Sequence, residues 1–138
     1  MKQGHCLCGE VTLSIPDVSY DITVCHCHMC QRFFGSPFLS TSGLTSDQFQ
    51  LSGQTSIQRY ASSEWAERGF CKTCGSSLFY CSLNDKEYYF PIGLFEQLEG
   101  ILTNEIFYNC KPEFYSLEGQ TVKLTEEEFL TQLFKEEK

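Results

Sequence analysis

The chain has 138 residues, 41% hydrophobic and 14% aromatic, which suits one ordinary core. No apolar run approaches the roughly 20 residues of a membrane-spanning helix. Ten basic against eighteen acidic residues leave a net charge of −8, without the basic footprint of a nucleic-acid binder.

Twelve Phe and seven Tyr against two Met favour a sheet-rich, aromatic core. Val11 to Ile15 alternates apolar and polar residues and stops at Pro16, as a strand does. Tyr20 to Val24 is expected to pair with it and to deliver the chain to Cys25. Residues 31–36 are expected to form a short helical turn or loop, broken by Gly35 and Pro37. Phe38 to Thr41 is a plausible strand. Phe49 to Leu51 and Ser56 to Tyr60 flank Ser52-Gly53, the signature of a hairpin.

Ser76 to Ser82 and Glu87 to Pro91 read as strands around an Asn84-Asp85 turn, and Ile106 to Cys110 as a further strand. Thr125 and Glu128 make a capping box, and Phe129, Leu130, Leu133 and Phe134 follow at helical spacing. The expectation is one domain over 1–138, with a core at 4–118 and a helical extension at 125–138. No internal repeat or linker supports a second domain.

Nine cysteines with no charged-then-apolar leader ahead of Cys6 point to metal ligands or reactive thiols in a reducing, cytoplasmic setting. An odd number cannot pair completely. Seven fall into three groups: Cys6 and Cys8, then Cys25, Cys27 and Cys30, then Cys71 and Cys74. Seven divides into a closed four-sulfur site and a three-sulfur site. Gly9 follows Cys8 and Gly75 follows Cys74, and a glycine there lets the backbone turn its amides toward sulfur. Cys30 is followed instead by Gln31. The two glycine-marked pairs, Cys6/Cys8 and Cys71/Cys74, therefore read as the knuckles of one structural zinc site. Structural zinc contributes an apparent ~10–16 kcal/mol in small peptides, large beside a net domain stability of about 5–15 kcal/mol.

For Cys25, Cys27 and Cys30 three readings stand. The segment is half of a closed site completed by Cys81, Cys110 or a histidine. Alternatively, Cys27-His28-Met29-Cys30 is a redox CxxC. In the third reading, three thiolates hold zinc and leave the fourth position for water or a substrate thiol. Zinc favours the deprotonated form of a thiol it binds, which suits adding sulfur to a carbonyl or reversing that addition.

The ordered blocks Gly4-His5-Cys6-Leu7-Cys8-Gly9-Glu10-Val11, Cys25-His26-Cys27-His28-Met29-Cys30-Gln31-Arg32, Gly35-Ser36, Arg68 to Ser76, Leu78-Phe79, Ile106-Phe107 and Lys111-Pro112 resemble the glutathione-dependent formaldehyde-activating family, also called the centromere-protein-V/formaldehyde-activating domain. The resemblance spans roughly residues 4–118. Departures are Gln31-Arg32 where an Arg-Lys pair is frequent, Glu105-Ile106-Phe107 where His-Ile-Phe is common, and Gly93-Leu94-Phe95-Glu96 where a Gly-x-Leu-Asp turn is familiar.

The resemblance implies a mainly β fold, a β-tent of antiparallel sheets around a four-cysteine structural zinc, here with a C-terminal helix. It implies two zinc ions: a structural one on Cys6, Cys8, Cys71 and Cys74, and a catalytic one on Cys25, Cys27 and Cys30. The implied reaction is carbon–sulfur lyase chemistry between glutathione, formaldehyde and S-hydroxymethylglutathione.

His26 and His28 flank Cys27 and are candidates to assist near the metal, whereas His5 reads as incidental. Arg32 and Arg68 are candidates to attract a substrate carboxylate, with structural ion pairing the plainer role. Phe33, Phe34 and Phe38 line a pocket or fill a core, and Trp65 caps an apolar patch. Cys81 and Cys110 read as buried small hydrophobes. The leading expectation is a zinc-dependent lyase acting on a small-molecule thiol adduct of a small aldehyde. The alternative is a non-catalytic zinc module that binds another protein, with the acidic terminal helix as contact.

Overall fold

The computed structural model describes residues 1–136. Among the described residues the chain is mainly β, with eleven strands in three sheets and two helices, the second near the C-terminus. Two compact units carry these elements: Met1–Tyr20 with Thr41–Glu99, and Asp21–Ser40 with the chain from Gly100 onward.

In the first unit β1 (Lys2–His5) pairs antiparallel with β2 (Thr12–Ile15), and β2 pairs with β5 (Gln50–Ser52). Tyr20 to Val24 is thus not the partner of β2. The Cys6–Val11 segment folds β1 back along β2, and β5 takes the other edge. Tyr20–Cys25 becomes β3 of another sheet.

The Ser52-Gly53 hairpin is likewise replaced. Gln54–Ser56 forms a 3-10 turn, after which β6 (Ile57–Tyr60) pairs with β7 (Ala66–Cys71) and not with β5. Gly53 serves close approach: a Cβ there would stand 2.1 Å from the Glu10 carbonyl oxygen.

Strands β7 and β8 (Ser77–Ser82) pair antiparallel, and β9 (Tyr88–Tyr89) returns along β8 as the Asn84-Asp85 turn suggests. Phe79 and Phe90 are fully buried; Phe49 and Tyr88 meet both Phe90 and, through Tyr88, Phe79 in ring contacts of 5.0 to 6.1 Å. The Arg59 guanidinium lies 4.9 Å from the Phe79 ring centroid. That contact covers the apolar ring with the flat face of a cation.

The second unit holds the sheet β11–β10–β3–β4, with β4 at Phe38–Ser40, β10 at Gly100–Ile106 and β11 at Val122–Lys123. Here β3 and β4 run antiparallel, and β10 and β11 parallel. The strand expected at Ile106 to Cys110 ends at Ile106. Phe107 takes φ +54°, and Tyr108–Cys110 closes into a 3-10 turn. A bulky side chain at positive φ breaks the ladder.

Helix α1 (His28–Phe34) starts earlier than the expected turn at 31–36, because Cys27 serves as its N-cap; Gly35 closes it. Phe34 stacks on Phe38 at 3.9 Å. Helix α2 (Glu126–Glu136) has the capping box: Glu128 N–H donates to Thr125 Oγ1 at 3.2 Å, and Thr125 N–H to Glu128 Oε1 at 3.0 Å. Phe129 packs against Phe107, while Leu133 and Phe134 are exposed. Residues 137 and 138 of the expected extension lie outside the described residues. Among the described residues no helix is long and apolar enough to cross a membrane.

Gly69 lies beneath the Phe79 ring, and a Cβ there would come within 2.3 Å of it. Gly69→Ala is expected to overpack the β7–β8 face and cost roughly 1–3 kcal/mol. Denaturant unfolding reads this as a lower midpoint, and an unchanged midpoint would show that the ring moves aside freely.

Candidate functional site

Two hairpin-like knuckles build the first cysteine cluster. The Cys6 N–H donates to the Val11 carbonyl at 3.1 Å, and the Cys71 N–H to the Ser76 carbonyl at 2.9 Å. Gly9 (φ +82°) and Gly75 (φ +79°) turn each loop in a conformation that costs other residues energy. The Sγ atoms of Cys6, Cys8, Cys71 and Cys74 lie within 4.8 Å of one another.

Sulfur separations are 3.6 Å for Cys6–Cys8 and 3.8 Å for Cys8–Cys71. Four thiolates at about 2.3 Å around a tetrahedral ion stand about 3.8 Å apart, so these residues fit a soft metal.

Side chains tie one knuckle to the other. Glu10 Oε2, on the first loop, accepts from Thr73 Oγ1 of the second at 2.8 Å and from Ser56 Oγ at 2.6 Å. These two hydroxyls hold the Glu10 carboxyl below its usual range. Ser76 Oγ accepts from the Leu7 N–H at 3.0 Å and lies 3.2 Å from Cys74 Sγ.

The Ser76 hydroxyl and backbone N–H, joined by the Cys8 N–H, hold the Cys74 thiol down to about 5. Against the Glu10 N–H, burial and the sulfurs of Cys6, Cys74 and Cys71 push Cys8 up to about 12. The cluster thus admits some negative charge by itself and needs a cation to hold the rest.

The second cluster sits where β3 runs into α1. Cys25 ends the strand, Cys27 is extended at φ −62°, ψ 154°, and its Sγ accepts from the Cys30 N–H at 3.3 Å. Cys30 is buried within α1. The three Sγ atoms lie within 4.8 Å of one another. Cys27 and Cys30 beside it, and then burial, drive the Cys25 thiol well above its ordinary range.

A donor set of three converging sulfurs can hold a metal ion. Among the described residues no fourth Cys, His, Asp or Glu joins the group. Cys81 is buried on β8, and Cys110 lies half-buried in the Tyr108–Cys110 turn. Burial, followed by Glu126 and Cys27, pushes the Cys110 thiol up.

The two neighbouring histidines part company. His28 is exposed at the first position of α1. His26 is fully buried, continuing the Tyr20, Ile22, Val24 face of β3, and its Nε2 lies 2.8 Å from Glu105 Oε1. His5 is exposed and donates from Nδ1 to the Cys6 carbonyl at 2.7 Å. Arg32 is exposed, while Arg68 is buried, with Nε donating to Ser62 Oγ at 3.2 Å. Trp65 is exposed.

Sequence reasoning missed three side chains around the clusters. Glu10 fixes the first. Around the second, Gln31 Nε2 donates to the His26 carbonyl at 2.6 Å and to the Cys110 carbonyl at 3.1 Å. The Glu105 carboxylate meets His26. The one available signal was an acidic residue inside an otherwise apolar strand end, Glu105-Ile106-Phe107.

A family model described as glutathione-dependent formaldehyde-activating enzyme matches residues 1–111. An uncharacterized lyase of Schizosaccharomyces pombe is 31% identical over 135 residues, covering 96% of this chain and 97% of that protein. A crystal structure of a Rhodobacter sphaeroides protein superposes with a TM-score of 0.58 at 20% identity, over 72% of this chain and 99% of the other; it shares the fold. The match over residues 1–111 and the full-length similarity to the yeast lyase place the chain in the glutathione-dependent formaldehyde-activating enzyme family.

Proposed function

We propose that the protein is a zinc-dependent carbon–sulfur lyase acting on a glutathione-type thiol adduct of a small aldehyde, akin to S-hydroxymethylglutathione. The observation that carries this reading is the group of three sulfurs at Cys25, Cys27 and Cys30, joined by no fourth donor among the described residues. Family membership and the lyase name of the yeast relative support it. Cys6, Cys8, Cys71 and Cys74 would hold a second, structural zinc.

Cys25, Cys27 and Cys30 would hold zinc, which would supply a Lewis acid for a substrate sulfur. The chain's own residues account for the rest. Cys25 and Cys27 present sulfur from an extended segment, and Cys30 from the first turn of α1. His26 Nε2 is engaged by Glu105, and the exposed ring of His28 is the candidate proton acceptor. In the lyase direction the adduct hydroxyl gives its proton to His28 or water. The C–S bond then breaks, its electron pair stays on sulfur, and the aldehyde carbonyl forms. Addition runs in reverse.

Cys27→Ser is expected to abolish turnover of the glutathione–formaldehyde adduct while the circular dichroism spectrum stays unchanged. Wild-type turnover in a variant with verified metal content would overturn the assignment. Cobalt substitution separates the lyase from a closed, non-catalytic zinc module. Glutathione is expected to shift the cobalt absorption of an open site and to leave that of a closed one alone.

The four-sulfur site gives a pH test. Zinc loading displaces thiol protons, so apparent affinity falls as pH falls. Ser76 keeps Cys74 ionised to lower pH. Ser76→Ala is therefore expected to raise the pH at which a chelator strips half of this metal; an unchanged profile would exclude that role for the hydroxyl.

A further inference from the structure

His26 stands between two of the three converging cysteines, and every part of it but one atom is fastened. Its N–H donates to the Ile106 carbonyl at 3.0 Å. Its carbonyl accepts from Gln31 Nε2 at 2.6 Å. Its Nε2 meets Glu105 Oε1 at 2.8 Å, and its ring stands edge-on to Tyr108 at 5.9 Å. Glu105 is 1% exposed, accepts from Thr121 Oγ1 and lies 3.6 Å from Lys123 Nζ. The Gln31 amide reaches the Cys110 carbonyl at 3.1 Å as well, so one side chain joins α1, the cysteine segment and the Tyr108–Cys110 turn.

Stability does not account for this arrangement. A buried ion pair is often no better than apolar residues of similar volume. His26 Nδ1 is buried with no partner among the described residues, a condition that costs roughly 1–3 kcal/mol. What the network delivers is orientation. Side chains alternate along an extended segment, so fixing His26 on the buried face aims Cys25 and Cys27 to the opposite one. Both cysteines are half-buried there while His26 is fully buried.

We propose that Glu105, acting through His26, and Gln31 are positioning residues that set the metal affinity of the Cys25, Cys27, Cys30 cluster. The inference rests on the reading of that cluster as a metal site. Neither residue is a ligand; each holds the backbone from which the sulfurs project.

The four-cysteine cluster serves as an internal control. Full-length protein is stripped and reloaded with cobalt, and both sites are titrated against a chromophoric chelator in the wild type, Glu105→Ala, Glu105→Gln and Gln31→Ala. Glu105→Ala and Gln31→Ala are expected to weaken the three-sulfur site ~10–100-fold, the range for groups that orient metal ligands. They are also expected to alter its sulfur-to-cobalt absorption, with the four-sulfur site unchanged. Glu105→Gln still accepts from His26 and is expected to stay close to wild type.

Wild-type affinity at the three-sulfur site in both Glu105→Ala and Gln31→Ala would overturn the proposal. So would equal losses at both sites, which would mark a general loss of structure. Should Glu105→Ala fail to fold, Gln31→Ala decides, since its side chain is only half-buried. Failure of the wild type itself to take a second metal would instead remove the lyase reading, and this inference with it.

Discussion

Seven thiols gathered into two clusters, of four and of three sulfurs each within 4.8 Å of one another, are the constraint on which each unit is arranged. A cluster of sulfurs cannot ionise together without a counter-charge, and the neighbouring sulfurs with burial raise Cys25, as burial with the neighbouring sulfurs raises Cys8. A soft cation relieves it. Holding the sulfurs together also works against chain entropy. Two sets of polar side chains, different in kind, do that work for the two clusters.

At the four-sulfur cluster the devices are short and local. Hydroxyls of Thr73 and Ser76 reach across from one knuckle to Glu10 and Leu7 of the other. The contacts are largely exposed, so each contributes modestly. Four donors around a tetrahedral ion leave little for the protein to specify, since the ion itself completes the geometry. A metal ion at the three-sulfur cluster would have one fewer protein bond to define it. There Glu105 and His26 are buried and linked in series to the half-buried Thr121 and the exposed Lys123.

The legibility of these features in the sequence follows the distance over which they act. The cluster membership of Cys6, Cys8, Cys71 and Cys74 was readable because glycines directly after a ligand advertise a turn that only they adopt cheaply, and φ is positive at both Gly9 and Gly75. The β8–β9 hairpin and the Thr125 capping box were readable for the same local reason. Strand β7 was not, because Ala66-Glu67-Arg68-Gly69 mixes charge into a strand whose Arg68 is nonetheless buried. Gly53 read as a hairpin turn when its task is to pass the Glu10 carbonyl. His26 and Glu105 are separated by 79 positions, so no spacing rule links them. Glu105 stood out only as an acid at an otherwise apolar strand end.

Buried polar atoms left without a partner are where a sequence departs from what stability alone would select. Among the described residues these are His26 Nδ1, Thr103 Oγ1 and Tyr115 Oη, and all three belong to the unit that carries Cys25, Cys27 and Cys30. Thr103 lies two residues from Glu105 on β10, hence on the same face of the strand. Burial and the Glu105 charge together push the Tyr115 hydroxyl up. Phe107, at φ +54°, adds a strained backbone directly after this strand. The first unit has no such atom among its described residues, although it holds the larger cluster. Unsatisfied side-chain polarity therefore concentrates in the unit with the three-sulfur cluster, where a bound ion would leave more of the geometry to the chain, while positive-φ non-glycine residues occur in both units, at Phe107 and Lys86.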